Sequence, residues 1–180
     1  MIGYIAFLRG INVGGQKIIK MEDLKKMFIS FGMGKVKTYI QSGNIIFESS
    51  DSDIVKLTLK IEKKLGLELG YEVTVILRTL TEVESILKQN PFKTIKPGED
   101  EKLYVTFMYE EPKLKPKLPL FSTKEDVEVF QIKKLDAFSI SRKKNGSFGF
   151  PNAVIEKTLK VAATTRNWST VNKIVDLANA

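Results

Sequence analysis

The first 78 residues alternate between apolar patterns that fit strands and apolar patterns that fit helices. Residues 2–8, IGYIAFL, are apolar at nearly every position, as in a central strand covered on both faces. MEDLKKMFISF and residues 53–69 repeat apolar side chains at helical spacing. VKTYI and IIFES are β-rich runs around the turn QSGN, and YEVTVIL is a further strand. The predicted order is β-α-β-β-α-β.

This order is the split βαβ, or ferredoxin-like, arrangement, also called the α/β plait. Right-handed crossovers place the third strand antiparallel between the first and second. The end of strand one, the start of helix one and the tip of the hairpin then share one edge of the sheet. The stretch LRGINVGGQK, residues 8–17, and the turn at residues 41–44 are therefore predicted neighbours.

Residues 79–180 predict a second α/β plait-like half, so the fold class is α+β with domains at 1–78 and 79–180. The segment TLTEVESILKQ is a helix with a capping box from Thr81 to Glu84. Further on come the strand LYVTFMY, a proline- and lysine-rich connector and the hairpin VEVFQI/AFSISRK. Two helices follow, joined by the short loop TTRNW, and no internal repeat is evident between the halves.

Composition excludes several function classes. The 180-residue chain is 43% hydrophobic and 28% charged, as in a globular protein, and has no cysteine and no histidine. Most hydrolase and zinc-enzyme chemistry is thereby removed, because acid–base work falls to Asp, Glu, Lys or Tyr. No apolar run approaches the ~20 residues of a membrane span, and the N-terminus lacks a basic leader. We expect a cytoplasmic protein with no membrane partner and no cofactor.

The net charge of +8 is uneven along the chain. Residues 1–47 carry +5, residues 48–128 carry −3 and residues 129–180 carry +6. Basic surfaces favour phosphate-bearing partners, including nucleic acid, by counterion release and by raising local ligand concentration. A lysine-rich surface that only maintains solubility is the alternative.

The glycine-rich stretch begins like a nucleotide-hydrolase phosphate loop but does not complete it. Gly10 to Gly15 fits G-x-x-x-x-G, yet Gln16 and Lys17 stand where Lys and Ser or Thr are needed, so the magnesium-binding hydroxyl is absent. Backbone N–H groups of such a loop near a helix can still hold an anion. A β-α connection whose glycines only satisfy the backbone is the alternative.

Candidate ligand-binding residues lie on this edge and in the C-terminal third. The edge contributes donors and glycines: Arg9, Asn12, Gly14, Gly15, Lys17, Gln41, Ser42 and Asn44. In TTRNW, an exposed interhelical loop is expected to present Arg166 and Asn167, and Lys157, about two turns earlier, to reach the same place. Arg166 is predicted to complete a composite anion site with residues 10–17. The acidic clusters at 51–53 and 99–101 lack calcium-loop spacing, so no metal site is predicted.

Four blocks, LRGINVGG, TYIQSGN, PNAVIEKTLK and TTRNW, together resemble a bacterial family known as domain of unknown function 1697. The resemblance spans nearly the whole chain. It implies a two-part α/β fold with plait-like halves, and it brings no established activity or catalytic residue.

Three function hypotheses follow. The first is a non-catalytic binding protein for a phosphate-bearing ligand, with nucleic acid as one form of it. The second is an enzyme that acts on a phosphorylated small molecule, with Lys157, Glu156 or Tyr39 transferring the proton. The third is a structural or protein-interaction module. The oligomeric state does not follow from the sequence.

Overall fold

The computed structural model describes residues 1–15 and 17–180 and confirms the mixed α+β class. Its first sheet contains four strands in the order β2-β3-β1-β4, all paired antiparallel. The elements of this half follow the predicted order: β1 Ile2–Leu8, α1 Met21–Ser30, β2 Gly34–Tyr39, β3 Asn44–Ser49, α2 Ile54–Leu69 and β4 Val75–Thr79. Strand β1 is central, as predicted. The helices pack on the face of the sheet that carries Tyr4, Ala6 and Leu8.

The second sheet has the order β10-β5-β8-β7-β6, with β9 paired to β8. Helix α3 precedes it, and its elements are: α3 Leu80–Gln89, β5 Glu101–Met108, β6 Leu120–Phe121, β7 Val127–Lys133, β8 Asp136–Lys144, β9 Ser147–Phe148, α4 Asn152–Leu159, β10 Ala163–Asn167 and α5 Trp168–Asn179. Strands β10, β5, β8 and β7 repeat the strand order of the first sheet. Residues 109–126, all described, contain no helix where α1 stands in the first half.

The chain divides into two compact units. Residues Met1–Ser85 and Lys173–Ala180 form the first, and Ile86–Asn172 form the second. Helix α3 therefore begins in the first unit and ends in the second, whereas α5 begins in the second and ends in the first. Among the described residues, no helix has the length and apolar character needed to cross a membrane.

Strand register reveals an internal repeat that the sequence pattern alone did not indicate. Tyr4-Ile-Ala-Phe-Leu in β1 and Tyr104-Val-Thr-Phe-Met in β5 occupy matching positions. Ile5 pairs with Arg78 on β4, and Val105 pairs with Arg166 on β10. Strands β4 and β10, each at one edge of its sheet, thus carry a buried arginine one residue before their ends, and a helix starts two residues after that arginine.

Both arginines bond in the same way. Nη1 of Arg78 donates to the carbonyl oxygen of Leu77 at 3.0 Å, and Nη1 of Arg166 donates to that of Thr165 at 2.9 Å. The side chains are 3% and 7% exposed. Because the repeat includes pairing register, burial and hydrogen bonding, we treat the two sheets as variants of one structural unit.

Two local predictions were wrong. The segment TTRNW is strand β10 followed by the first residue of α5, so it is not an interhelical loop. The capping box of α3 lies two residues earlier than predicted, because Thr79 Oγ1 accepts from the Glu82 N–H while the Glu82 carboxylate accepts from the Thr79 N–H and hydroxyl. Thr79 ends β4, so a single residue closes the strand and caps the helix.

Candidate functional site

Residues 8–12 and the turn at 41–44 lie against each other, as the crossover argument predicted. The side chain of Asn12 joins them. Its Nδ2 donates to the Gln41 carbonyl at 2.8 Å and to the Ile19 carbonyl at 3.0 Å, and its Oδ1 accepts from the Ile19 N–H at 2.8 Å. Both amide hydrogens are engaged, so Asn12 holds the glycine-rich loop in place and does not offer a free donor on the surface.

The hairpin turn also requires specific residues. Gly43 has φ +71°, and a Cβ there would come within 3.0 Å of Leu8 and Ile11 side-chain atoms. Its carbonyl accepts from the Leu8 N–H at 2.8 Å, which ties the turn to the end of β1. Asn44 is fully buried, and its Nδ2 donates to the Tyr39 carbonyl and the Ser42 hydroxyl. Asn44 therefore shapes the turn from within.

Left-handed backbone conformations concentrate on this edge. Asn12, Lys17 and Ile40 have φ values of 52°, 47° and 48°. Asparagine adopts such values readily, whereas they are more costly for Lys17 and most of all for a β-branched residue such as Ile40. Strain of this kind persists where the surrounding contacts fix the backbone, and it occurs often at ligand-binding positions.

Two basic residues flank the loop. Arg9 is exposed, and its backbone N–H donates to the Thr74 carbonyl at 3.0 Å. Lys17 is exposed, its Nζ donates to the Glu72 carbonyl at 3.3 Å, and that Nζ lies 5.1 Å from the centre of the Tyr71 ring. Gly14, Gly15 and Gln41 are also exposed and Ser42 is half-buried, while Gln16 lies outside the described residues.

Arg166 does not have the exposed position expected of it. Its Nη1 donates to the Thr164 hydroxyl at 2.7 Å and to the Thr165 carbonyl, and burial lowers its pKa to about 10. Thr165 contacts Asn152 of α4, and Ala163 packs with Ile155, so alternate residues of β10 face that helix.

Arg166 consequently points to the face of the sheet opposite α4, which carries Lys157. The expectation that Lys157 reaches the same place as Arg166 was therefore wrong. Asn167 caps α5, because its Oδ1 accepts from the Ser169 N–H at 3.0 Å and from the Ser169 hydroxyl.

Glu156 has a structural partner. Its carboxylate accepts from the Ala163 N–H at 2.8 Å, on the edge strand of the second sheet. Glu62 of α2 accepts from the Val75 N–H at 2.8 Å on the edge strand of the first sheet, so this contact also belongs to the repeat. An edge strand that bonds to a side chain in this way is less open to pairing with another chain.

The acidic clusters also have structural contacts. Asp53 caps α2, and the hydrogen bond from the Lys56 N–H lowers the pKa of its carboxyl. The Asp51 carbonyl accepts from the Tyr4 hydroxyl at 2.8 Å. Glu101 accepts from the Gly98 N–H at 3.0 Å and from Arg142 Nε at 3.3 Å. Both clusters thus support local structure.

Sequence reasoning missed the residues that Lys17 contacts. Tyr71 and Glu72 line a groove beside α2, together with Leu59, Gly66 and Leu67. The available signal was Gly66, a glycine inside an otherwise regular helical pattern that already ends at Gly70.

Comparisons with known proteins agree with the fold. A conserved bacterial protein, SP0830 from Streptococcus pneumoniae, has a similar structure with a TM-score of 0.65 and 25% sequence identity, and the match covers 98% of each chain. No curated protein matches this chain. The family model described as "Protein of unknown function (DUF1697)" matches residues 1–138. The chain therefore belongs to the DUF1697 family.

Proposed function

We propose that this protein binds a phosphate-bearing ligand, a class that includes nucleic acid, without catalysing a reaction on it. The ligand lies on the surface formed by the exposed residues of the edge, which are Arg9, Gly14, Gly15, Lys17 and Gln41. The observation that carries the proposal is the bridge made by Asn12. It fixes the glycine-rich loop, which carries Arg9 and Lys17, against a hairpin turn before any ligand arrives.

Preorganisation matters because ordering a loop on binding costs free energy that weakens affinity. Strained φ values at Lys17 and Ile40 support the same interpretation, since the contacts that hold them are in place without a ligand. Charge supports it as well: residues 1–47, which contain the loop and the turn, carry +5.

A thermal-shift titration with inorganic pyrophosphate and with a short single-stranded DNA tests the proposal, because a ligand that binds the native state raises the melting temperature. We expect Lys17→Ala to weaken binding of the better ligand by about tenfold, the loss of one charge-assisted contact of ~1.5 kcal/mol. If that ligand is DNA, the log–log salt slope should also fall by about one unit.

Lys113→Ala is the matched control, since it removes the same charge from the connector in the second unit. It should leave affinity for pyrophosphate unchanged. Equal losses from both substitutions would show that net charge alone attracts the ligand, and the proposed surface would be wrong. Failure of both ligands to raise the melting temperature would also overturn the proposal.

A further inference from the structure

A groove of about 650 Å³ lies between α2 and residues 70–74 of the first unit. Its walls combine the apolar side chains of Leu59, Leu67 and Val73 with Lys63 and Thr74. Leu59 and Leu67 are 55% and 76% exposed, which is unusual for leucines two turns apart on one helix. The volume lies in the range of small-molecule sites, and a bound apolar group would cover both leucines.

Gly66 has no structural reason to be glycine. It lies inside α2 with helical backbone, the left-handed C-cap of the helix is Gly70, and a Cβ at position 66 would meet its nearest neighbour, the Tyr71 carbonyl oxygen, at 3.9 Å. Glycine inside a helix is less stable than alanine, because the unfolded glycine backbone has more conformational freedom to lose. The cost is explained if a side chain at this position would occupy the groove, because Gly66 is part of its wall.

The groove adjoins the loop that carries the proposed phosphate site. Lys17 Nζ contacts both Tyr71 and Glu72, and both of these residues line the groove. Lys63 provides a second cation within it. Of the two acidic residues in the lining, Glu62 directs its carboxylate to the Val75 N–H. An anionic head group at Lys17 would thus have an apolar channel beside it.

We propose that this groove binds the aliphatic chain of a phosphate monoester whose phosphate lies at Lys17. This inference rests on the proposed function, and it names the class of ligand. The channel runs along α2 from Leu59 to Gly70, about 16 Å at the helical rise. An elongated channel with a leucine near each end suits a flexible hydrocarbon chain. A flat base would instead need an aromatic ring to stack on, and the Tyr71 ring already has Lys17 Nζ over it.

The experiment measures binding of decyl phosphate, below its critical micelle concentration, by isothermal titration calorimetry, beside inorganic phosphate, 1-decanol and adenosine monophosphate. Wild-type protein should bind decyl phosphate at least about 100-fold more tightly than inorganic phosphate, because each buried methylene contributes ~0.8 kcal/mol. Gly66→Leu should remove most of that advantage and leave the affinity for inorganic phosphate unchanged. Gly66→Ala, which adds a single methyl, should have an intermediate effect.

A loss of binding in these variants would not come from unfolding. Gly66→Leu and Gly66→Ala both favour the helix and should keep or raise the melting temperature. Decyl phosphate that binds no more tightly than inorganic phosphate would overturn the groove assignment and leave the phosphate site standing. Adenosine monophosphate binding as tightly as decyl phosphate, with equal sensitivity to Gly66→Leu, would overturn the hydrocarbon assignment. If Lys17→Ala changes neither phosphate nor decyl phosphate affinity, the proposed function fails, and the groove proposal fails with it.

Discussion

The two sheets share a strand framework but differ in what their helix-bearing faces carry. Ala6, Phe47 and Leu77 occupy this face in the first sheet, and register places Thr106, Ser139 and Thr165 at the matching positions of the second. Helix α1 packs on the first of these faces, and Phe28 lies 5.4 Å from Phe47 between ring centres. No helix occurs between β5 and β7 in the described residues 109–126.

The difference shows which parts of the unit depend on each other. Pairing register, the buried arginine and the helix glutamate that bonds to the edge strand are the same in both sheets, so they do not require α1. The aromatic residue on the third strand is different. Phe47 has a helix to pack against, whereas the matching Ser139 is small enough for the face to be closed by other segments of its unit. We infer that the pairing of the strands defines the fold, and that the segment packed on the sheet face can be a helix, as in the first sheet, or a non-helical segment, as in the second.

Replacing Phe28 by alanine is the strongest way to break the contact that is specific to the first sheet. Phe28 is fully buried and lies 5.8 Å from Phe31 as well as 5.4 Å from Phe47. We expect Phe28→Ala to lower the free energy of unfolding by about 3–5 kcal/mol, measured by urea denaturation. Phe121→Ala in the second sheet is the control, because that ring is 62% exposed and its loss should cost little. Equal midpoints for the two variants would contradict the assignment of Phe28 to the core.

Removing the two helix glutamates that bond to edge strands tests whether the two sheets are equivalent. Glu62→Ala and Glu156→Ala each leave a strand N–H, of Val75 or Ala163, without its carboxylate acceptor. Each should lower the free energy of unfolding by about 1.5–3 kcal/mol, the range for hydrogen bonds to charged groups. Glu68→Ala, on the exposed side of α2, is the control and should change stability by less than about 0.5 kcal/mol. A large effect in one sheet alone would show that the repeat does not extend to this contact.

Sequence pattern predicted the first half well because its apolar residues follow the periods of strands and helices. The stripe that contains Leu24 and Phe28 is buried as expected, and the handedness of crossovers placed Asn12 beside Gln41. Strand β10 was missed because ATTRN is short and polar. Its strand conformation depends on pairing with β5, more than 50 residues away in the chain, and local propensity carries no signal of that pairing.

The sequence predicted where the candidate site lies, but it predicted the roles of only some of its residues. The presence of glycines and cations on one edge could be inferred from the sequence. The hydrogen bonds of Asn12 and Asn44 could not, because an amide that binds a ligand and an amide that fixes a turn have the same sequence signature. The burial of Arg166 depends on strand β10 and was hidden for the same reason as the strand.

The smallest expected effect concerns the hydroxyl groups that replace apolar side chains in the second sheet. Within the described part of the chain, the buried hydroxyl of Ser139 has no hydrogen-bond partner. A buried polar group without a partner is destabilising, so Ser139→Ala should leave the free energy of unfolding unchanged or raise it by up to about 1 kcal/mol. Thr106→Val makes the matched comparison, because the Thr106 hydroxyl shares a 2.8 Å hydrogen bond with that of Thr165. Its loss should lower stability by about 1 kcal/mol, or more if the Thr165 group is left unsatisfied. Urea denaturation of both variants under the same conditions measures the difference in their free energies of unfolding.

If Ser139→Ala is as destabilising as Thr106→Val, the Ser139 hydroxyl has a bonding partner, such as a buried water molecule. The second sheet would then have a polar contact at Ser139 where the first has the aromatic contact of Phe47 with α1. The second sheet would thus have gained a hydrogen bond at this position in addition to losing a helix contact.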